Sequence, residues 1–182
     1  MQGVTFLDTH PDFERVDSGK SPAYFARFPN VSVGEAEIAA LFSEAEALGQ
    51  VNMRICLHGA SDDPFHNMII LEYPGSRYFR PHRHREKGET CHMIDGSLQL
   101  FVFDDDGRIL KSENMSADDN PIFRVGAKQW HTLIPVSSPV IYHESKPGPF
   151  FGDEDSLYPT WAPDGVDENE AQRYVQNLMG EG

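Results

Sequence analysis

Residues 75–96 read GSRYFRPHRHREKGETCHMIDG, and the interpretation of the whole chain starts from this stretch. His82 and His84 are two positions apart, and side chains at that spacing in a strand point to the same face. Two neighbouring imidazoles can bind a single divalent ion through their ring nitrogens. After a short loop, Glu89 opens the next predicted strand and brings a carboxylate to the same point. The spacing therefore predicts a metal site held by two adjacent strands.

A third imidazole would complete this site, and His131 is the candidate. It lies in a predicted strand, Trp130–Ile134, in which Trp130 faces the other way. Cys91 has the same strand parity as Glu89, so it is expected either to line the pocket or to be a small core residue. His92 has the opposite parity and is expected not to be a ligand.

Two residues close to the histidine pair carry the substrate prediction. Arg80 shares the face of His82, so it is expected to point inward, where a guanidinium can hold a carboxylate or a phosphate by two parallel hydrogen bonds. The alternative is that Arg80 pairs with a buried acid for structure. Tyr78 lies on the same face as Arg80 and is expected either to hydrogen-bond a substrate or to be a core residue.

Short β-type segments separated by turn signals fill the middle of the chain. Asp95-Gly96 is typical of a hairpin turn, because glycine tolerates the positive φ that such a turn needs. Closely spaced strands without an intervening helix predict an all-β fold, an antiparallel sandwich or barrel. The predicted strands are Asn52–Leu57, Asn67–Glu72, Tyr78–His82, Glu89–Ile94, Leu98–Phe103, Ile109–Lys111, Ile122–Val125, Trp130–Ile134 and Val140–Glu144.

The chain of 182 residues is expected to form one domain with three parts. Residues 1–50 are an N-terminal extension with one amphipathic helix, for which Ser32 and Glu35 fit a capping box. Residues 51–144 are the barrel core. Residues 145–182 are a wrapping segment, whose aromatic side chains are expected to hold it on the barrel, followed by a short helix that Asp167 and Glu170 can cap.

Composition excludes several classes of partner. The 29 acidic and 15 basic residues give a formal charge of −14, which argues against nucleic acid or an anionic membrane as a partner. No apolar run approaches the roughly 20 residues of a membrane span. The N-terminus lacks the pattern of a signal peptide, and the 2 cysteines do not form a disulfide scaffold. We therefore expect a cytoplasmic protein.

The residues around the histidine pair resemble a known superfamily. The set Gly75, His82-x-His84, Glu89 and Gly96 matches the first cupin motif. The resemblance implies a single small antiparallel β-barrel or jelly roll and one metal ion bound by His82, His84, Glu89 and His131. The second cupin motif departs from the usual pattern, because Gly126 is displaced and Pro135 stands where the family has Asn. The cupin habit of pairing barrels also implies a homodimer.

A narrower resemblance covers about residues 54–163 and is to the WbuC-type cupins. Arg54 is assigned to the substrate site mainly on this resemblance. WbuC-type cupins are often encoded near genes for cell-surface polysaccharide synthesis, and the resemblance implies that setting here. The matching segments are Arg54-Ile55-Cys56-Leu57-His58, Arg80-Pro81-His82-Arg83-His84, Phe101-Val102-Phe103-Asp104-Asp105-Asp106-Gly107, Trp130-His131-Thr132-Leu133-Ile134-Pro135, Gly148-Pro149-Phe150 and Trp161-Ala162-Pro163.

Three histidines and one glutamate leave an octahedral divalent ion with two open positions. The ligand types do not select between iron, manganese, nickel and zinc. The leading hypothesis is a metal-dependent enzyme that acts on a small anionic or sugar-derived substrate, either an isomerase or lyase or an oxygenase such as a cupin dioxygenase. The alternatives are a non-catalytic metal-containing protein that binds a saccharide or serves regulation, and a barrel that the metal only braces.

Overall fold

The computed structural model describes residues 6–17 and 21–180. The expected N-terminal extension, residues 1–50, and the expected C-terminal segment, residues 145–182, are therefore each described in part. Residues 1–5, 18–20 and 181–182 lie outside the described residues.

Strands dominate the described chain, and two helices flank them in sequence. The helices are α1 (Glu35–Ala47) and α2 (Glu168–Met179), and short 3-10 turns cover Leu7–Thr9 and Gly152–Glu154. The strands are β1 (Phe13–Val16), β2 (Ala23–Ala26), β3 (Met53–Cys56), β4 (Phe65–Glu72), β5 (Glu89–Asp95), β6 (Ser97–Phe103), β7 (Ile109–Ser116), β8 (Ile122–Val125), β9 (Trp130–Pro135) and β10 (Val140–Pro147).

The strands form two sheets that pack face to face. The larger sheet has the order β1-β2-β3-β4-β10-β5-β8, and the smaller has the order β7-β6-β9. Neighbouring strands are antiparallel except β2 and β3, which are parallel. Apolar side chains of both sheets meet between them, among them Leu100, Leu133 and Met93. The predicted fold class, an all-β antiparallel sandwich or barrel with an N-terminal helix and a short C-terminal helix, is confirmed.

The barrel is not confined to residues 51–144. Residues for which the sequence suggested no structure form β1 and β2, which extend the larger sheet beyond β3. Their side chains Phe13 and Tyr24 are fully buried, so burial of aromatic surface holds this extension on the sheet. At the other end of the core, β10 continues past residue 144 to Pro147.

The predicted strand Tyr78–His82 is wrong as a continuous strand. Only two isolated bridges form there, between His82 and His131 and between Arg83 and Leu157. Pro81 is the fourth of the five residues of this segment and has no N–H to donate to a ladder. The chain is nevertheless extended at His82, because it pairs with β9.

The two helices cover different parts of the sandwich. Leu41 and Ala45 of α1 pack into the core beneath β2 and β3. The predicted capping box of Ser32 and Glu35 does not form, because α1 begins after Gly34. The Gly34 N–H donates to Glu37 Oε2 at 2.7 Å, which is the one hydrogen bond of a capping box that a glycine can make. Helix α2 packs on the outer face of the smaller sheet, and Asp167 caps it as predicted. Among the described residues, neither helix has the length and apolarity to cross a bilayer.

Candidate metal centre

Backbone pairing brings the two halves of the candidate site together. The His82 N–H donates to the His131 carbonyl and the His131 N–H to the His82 carbonyl, each at 2.9 Å. Directly paired residues of antiparallel segments point to the same side. The two imidazole rings accordingly lie with their centroids 4.5 Å apart.

The structure brings four predicted side chains, His82, His84, Glu89 and His131, into one group, the His–Glu cluster. Each of the four residues offers one ligand atom, and these four atoms all lie within 4.8 Å of one another. His131 Nε2 is 2.7 Å from Glu89 Oε1, and His84 Nε2 is 3.2 Å from Glu89 Oε2. Three of the four are buried, and His82 is partly exposed.

Main-chain carbonyls orient all three imidazoles. The Nδ1 atom of His84 lies 2.8 Å from the Asp155 carbonyl oxygen, and that of His131 lies 2.9 Å from the Gln129 carbonyl oxygen. His82 Nδ1 lies 3.2 Å from the carbonyl oxygen two residues earlier in the chain. A carbonyl can only accept, so each Nδ1 carries a proton and Nε2 is the nitrogen left to bind an ion. In this structure the Nε2 atoms of His84 and His131 instead donate to the Glu89 carboxylate.

Burial and charge shift the pKa values of three groups in the cluster. Burial lowers the pKa of His82 to about 3, and neighbouring His131 contributes to the shift, so the His82 ring is neutral at neutral pH. Burial would raise the pKa of Glu89, but the charge and hydrogen bond of His131 and the hydrogen bond of His84 outweigh it and hold that pKa well below its ordinary range. Burial would lower the pKa of His131, but the charge and hydrogen bond of Glu89 outweigh it and raise that pKa. Metal binds neutral imidazole and ionised carboxylate, so a bound ion would displace the proton that His131 shares with Glu89.

The donor set fits a divalent first-row ion. Imidazole and carboxylate ligands lie about 2.1 Å from such an ion, so two of them on one ion are between about 3 and 4 Å apart. The donor atoms of the His–Glu cluster, all within 4.8 Å of one another, need only small shifts to meet that range. These four side chains are therefore a group of residues that could hold a metal.

A buried acid from the wrapping segment supports His84 from outside the cluster. Asp155 Oδ2 lies 3.4 Å from His84 Nδ1, and Asp155 Oδ1 accepts a short hydrogen bond from Lys87. Lys87 also donates to the carbonyl oxygen of Pro149, and its ammonium lies 5.0 Å from the centre of the Phe151 ring. Sequence reasoning missed Asp155, because its contact with His84 spans 71 positions.

Arg80 lies at the exposed side of the cluster. Its guanidinium carbon stands 4.8 Å from the centre of the Tyr158 ring, and Nη2 donates to the Pro159 carbonyl oxygen at 3.2 Å. Arg80 Nε is buried and has no hydrogen-bond partner among the described residues. The Tyr158 ring is half-exposed, and its centroid is 6.5 Å from that of His82. Tyr158 therefore belongs to the mouth of the site, a role that the sequence did not suggest.

The two other predicted substrate residues lie apart from the cluster. The Tyr78 ring makes an edge contact with Tyr174 of α2 at 6.4 Å, and burial raises the pKa of Tyr78 to about 12. Arg54 lines a cavity of about 410 Å³ whose walls include Phe25 and Phe150, and none of the four cluster residues lines it. Arg54 Nη1 donates to Ser21 Oγ at 3.0 Å. The structure therefore does not bring Arg54 or the Tyr78 hydroxyl to the His–Glu cluster.

Further charged groups next to Glu89 were missed from the sequence. Glu144 of β10 is the direct cross-strand partner of Cys91, and ligand atoms of Glu89, Cys91 and Glu144 lie within 4.8 Å of one another. Lys146 lies two residues after Glu144, and its ammonium lies near the carboxylates of both Glu144 and Glu89. The alternation of Glu144 and Lys146 in β10 could have shown that both side chains face inward. The predicted inward parity of Cys91 agrees with its complete burial.

One family model matches part of the chain. Residues 33–115, under half of the chain, match a family described as "Domain of unknown function (DUF6016)". Comparison with the curated proteins gives no match.

Similar solved structures are cupin-fold proteins. The capsular polysaccharide assembling protein CapF from Staphylococcus aureus is 12% identical with a TM-score of 0.49, over 60% of this chain and 31% of that one. An oxalate decarboxylase from Bacillus subtilis is 14% identical with a TM-score of 0.47, over 72% and 32%. KdgF from Halomonas sp. is 10% identical with a TM-score of 0.43, over 53% and 79%. The chain spans about a third of the length of the first two.

Proposed function

We propose that this chain is a metal-dependent enzyme that holds one divalent ion on His82, His84, Glu89 and His131 and acts on a small anionic or sugar-derived substrate. The observation that carries the proposal is the shared orientation of the three imidazoles. Each has Nδ1 on a main-chain carbonyl, so that three Nε2 atoms and one carboxylate converge. A bound divalent ion would polarise a carbonyl or hydroxyl group of a ligand or lower the pKa of bound water.

Access to the cluster favours turnover over a purely bracing metal. His84 and His131 are buried at 3% and 1% exposure, whereas His82 is partly exposed. A ligand can therefore approach from the His82 side, where Tyr158 offers a half-exposed aromatic face. A metal that only braced a barrel would have no need of such an entrance.

The preference for an anion is supported by Arg80. Its hydrogen-bond acceptor is the Pro159 carbonyl oxygen, not a carboxylate. A guanidinium has five N–H donors, so donors remain for a ligand. The setting in cell-surface polysaccharide synthesis is supported by the sequence resemblance to WbuC-type cupins.

Metal binding is tested first. Protein purified without chelators and loaded anaerobically with Fe²⁺, Mn²⁺, Ni²⁺ or Zn²⁺ should retain one ion per chain after gel filtration. His84→Ala and Glu89→Gln should each lose it, whereas His92→Ala, a change of an exposed histidine on the other face of β5, should retain it. Equal retention of metal by His84→Ala and the wild type would overturn the proposed centre.

Turnover is tested with the loaded protein. A panel of nucleotide sugars and small keto and hydroxy acids is followed by mass spectrometry, with oxygen consumption recorded in parallel. We expect a conversion that depends on metal and that Arg80→Ala weakens through KM while metal content stays constant. Ligand binding without conversion of any panel member would favour the non-catalytic alternative, and full activity of Arg80→Ala would disprove the role of Arg80.

A further inference from the structure

We infer that Lys146 forms a second anchor inside the barrel, which with the metal centre selects a ligand bearing a single carboxylate. This inference rests on the proposed function and names the chemistry of the ligand that the same site takes. Lys146 lies on β10, where it is paired with His66 of β4 and faces the interior of the sandwich. Its side chain is 15% exposed.

The Lys146 ammonium stands between two carboxylates. Its Nζ is 2.9 Å from Glu144 Oε1 and 3.9 Å from Glu89 Oε2. Glu89 Oε2 is the same oxygen that contacts His84 Nε2 at 3.2 Å. Lys146 therefore reaches the edge of the His–Glu cluster without being one of its donors.

The charges around this point do not balance once a divalent ion is bound. Glu89 and Glu144 contribute two negative charges and Lys146 one positive charge, so a divalent ion on neutral imidazoles leaves an excess of one positive charge. An uncompensated charge in a buried site is costly. One negative charge from a ligand removes the excess.

The other charges near the cluster are either in contact with water or paired. Arg80 is partly exposed at the mouth of the site, where water screens its charge, so it is not part of the buried excess. Glu72 is paired with Arg77 and accepts a hydrogen bond from Tyr142. Lys87 is paired with Asp155. The excess positive charge is therefore located where the Lys146 ammonium lies next to the Glu89 carboxylate.

A carboxylate matches this excess better than a phosphate does. A carboxylate carries one negative charge and has two oxygens, one for the ion and one for an ammonium donor. An ammonium has three donors, so Lys146 can keep Glu144 and still donate to a ligand. A phosphate monoester carries about −1.5 to −2 at pH 7 and would leave the interior with excess negative charge.

The test uses Co²⁺-loaded full-length protein, with acetate, inorganic phosphate and acetamide as probes. Binding is measured by titration calorimetry and by the visible spectrum of Co²⁺. For the wild type we expect acetate to bind at least tenfold more tightly than phosphate, and acetamide not to bind. This comparison needs no variant, and a phosphate affinity equal to or above that of acetate overturns the inference.

A double variant tests the residue itself. Lys146→Met with Glu144→Gln removes one charge of each sign, so the net charge stays constant, and shortens only the lysine side chain, by one atom. Acetate affinity should fall at least tenfold while Co²⁺ affinity stays within about threefold. The matched control is Lys111→Met with Glu113→Gln, which removes a surface ion pair of 2.9 Å and should change neither affinity.

The outcomes separate this inference from the proposed function. Acetate affinity within twofold of the wild type in the double variant overturns the role of Lys146 and leaves the metal centre standing. Failure of the wild type to bind Co²⁺ overturns the proposed function. If the double variant does not fold, Lys146→Arg replaces it, because arginine keeps the positive charge. Lys146→Arg should retain acetate binding, and loss of acetate binding in this variant would contradict the inference.

Discussion

Gly88 lies directly against the carbonyl oxygen of Val125. A Cβ at Gly88 would stand 2.8 Å from that oxygen and 3.3 Å from the amide nitrogen of Ala127. Both contacts are with backbone, which cannot rotate away. The glycine therefore allows the loop after His84 to pass close to the end of β8 and deliver Glu89 to the cluster.

Gly88→Ala is the first prediction. The added methyl group must displace the loop or β8, and we expect a loss of about 2 kcal/mol in the free energy of unfolding, within the usual range for overpacking. Glu89 should be displaced as well, so metal affinity should fall. Gly126→Ala is the matched control, because a Cβ there has no atom within 4 Å. Denaturant unfolding measures the stability of both variants, and metal titration measures their metal affinity. Equal stability of Gly88→Ala and Gly126→Ala would contradict the prediction.

Asp155→Asn tests the support of His84 from the wrapping segment. The change keeps the shape of the side chain but removes the charge that faces His84 Nδ1 at 3.4 Å and pairs with Lys87. Loss of such outer contacts costs about 10- to 100-fold in metal affinity. The neighbouring exposed Glu154→Gln should leave the affinity unchanged. Competition titration against a chromophoric chelator measures both, and an unaltered Kd for Asp155→Asn would show that the backbone carbonyl alone orients His84.

Stability should fall in mild acid because of a stacked histidine pair. The rings of His58 and His66 are parallel, with centroids 4.1 Å apart. Burial lowers the pKa of His58, and the neighbouring His66 lowers it further; burial also lowers the pKa of His66. The unfolded chain therefore takes up protons near pH 6.5 that the folded chain does not.

The sign of this effect follows from linkage. Above the ordinary histidine pKa the pair contributes no pH dependence, and below it the free energy of unfolding falls by up to about 1.4 kcal/mol per pH unit for each histidine. The fall ends at the lowered folded pKa. His66→Gln should flatten the profile measured by urea unfolding between pH 7 and 5, whereas the exposed His92→Gln should not. A profile of His66→Gln that is parallel to the wild type would refute the assignment.

Trp161 attaches the wrapping segment to the smaller sheet. Its ring lies 5.1 Å from that of Phe103 and 6.1 Å from that of Trp130. Trp161→Ala should destabilise the fold by about 3 kcal/mol through lost burial and the cavity left behind. Val166→Ala, at a side chain that is 86% exposed, should cost close to nothing. Thermal unfolding compares the two, and a small effect of Trp161→Ala would mean that other contacts hold the segment.

The aromatic side chains of the wrapping segment divide into two groups, contrary to the expectation that they hold it down together. Phe150, Phe151 and Tyr158 are 48%, 61% and 45% exposed, and Trp161 is the one that packs into an apolar cluster. The sequence marks all four as apolar anchors because hydrophobicity does not record which side of a segment meets the barrel. The side of the wrapping segment that meets the barrel depends on its contacts with β9 and with the loop of residues 83–87.

Features that depend on neighbours in the chain could be predicted from the sequence. Alternation placed His82 with His84 and Cys91 with Glu89, and the turn signals predicted antiparallel strands, because strand periodicity and turn chemistry act over a few residues. Tertiary structure alone decided which distant groups surround the cluster. Lys146, Glu144, Asp155 and Tyr158 reach it, and Arg54 does not, because the register of β10 against β5 and the path of the wrapping segment arise from packing of the whole sandwich.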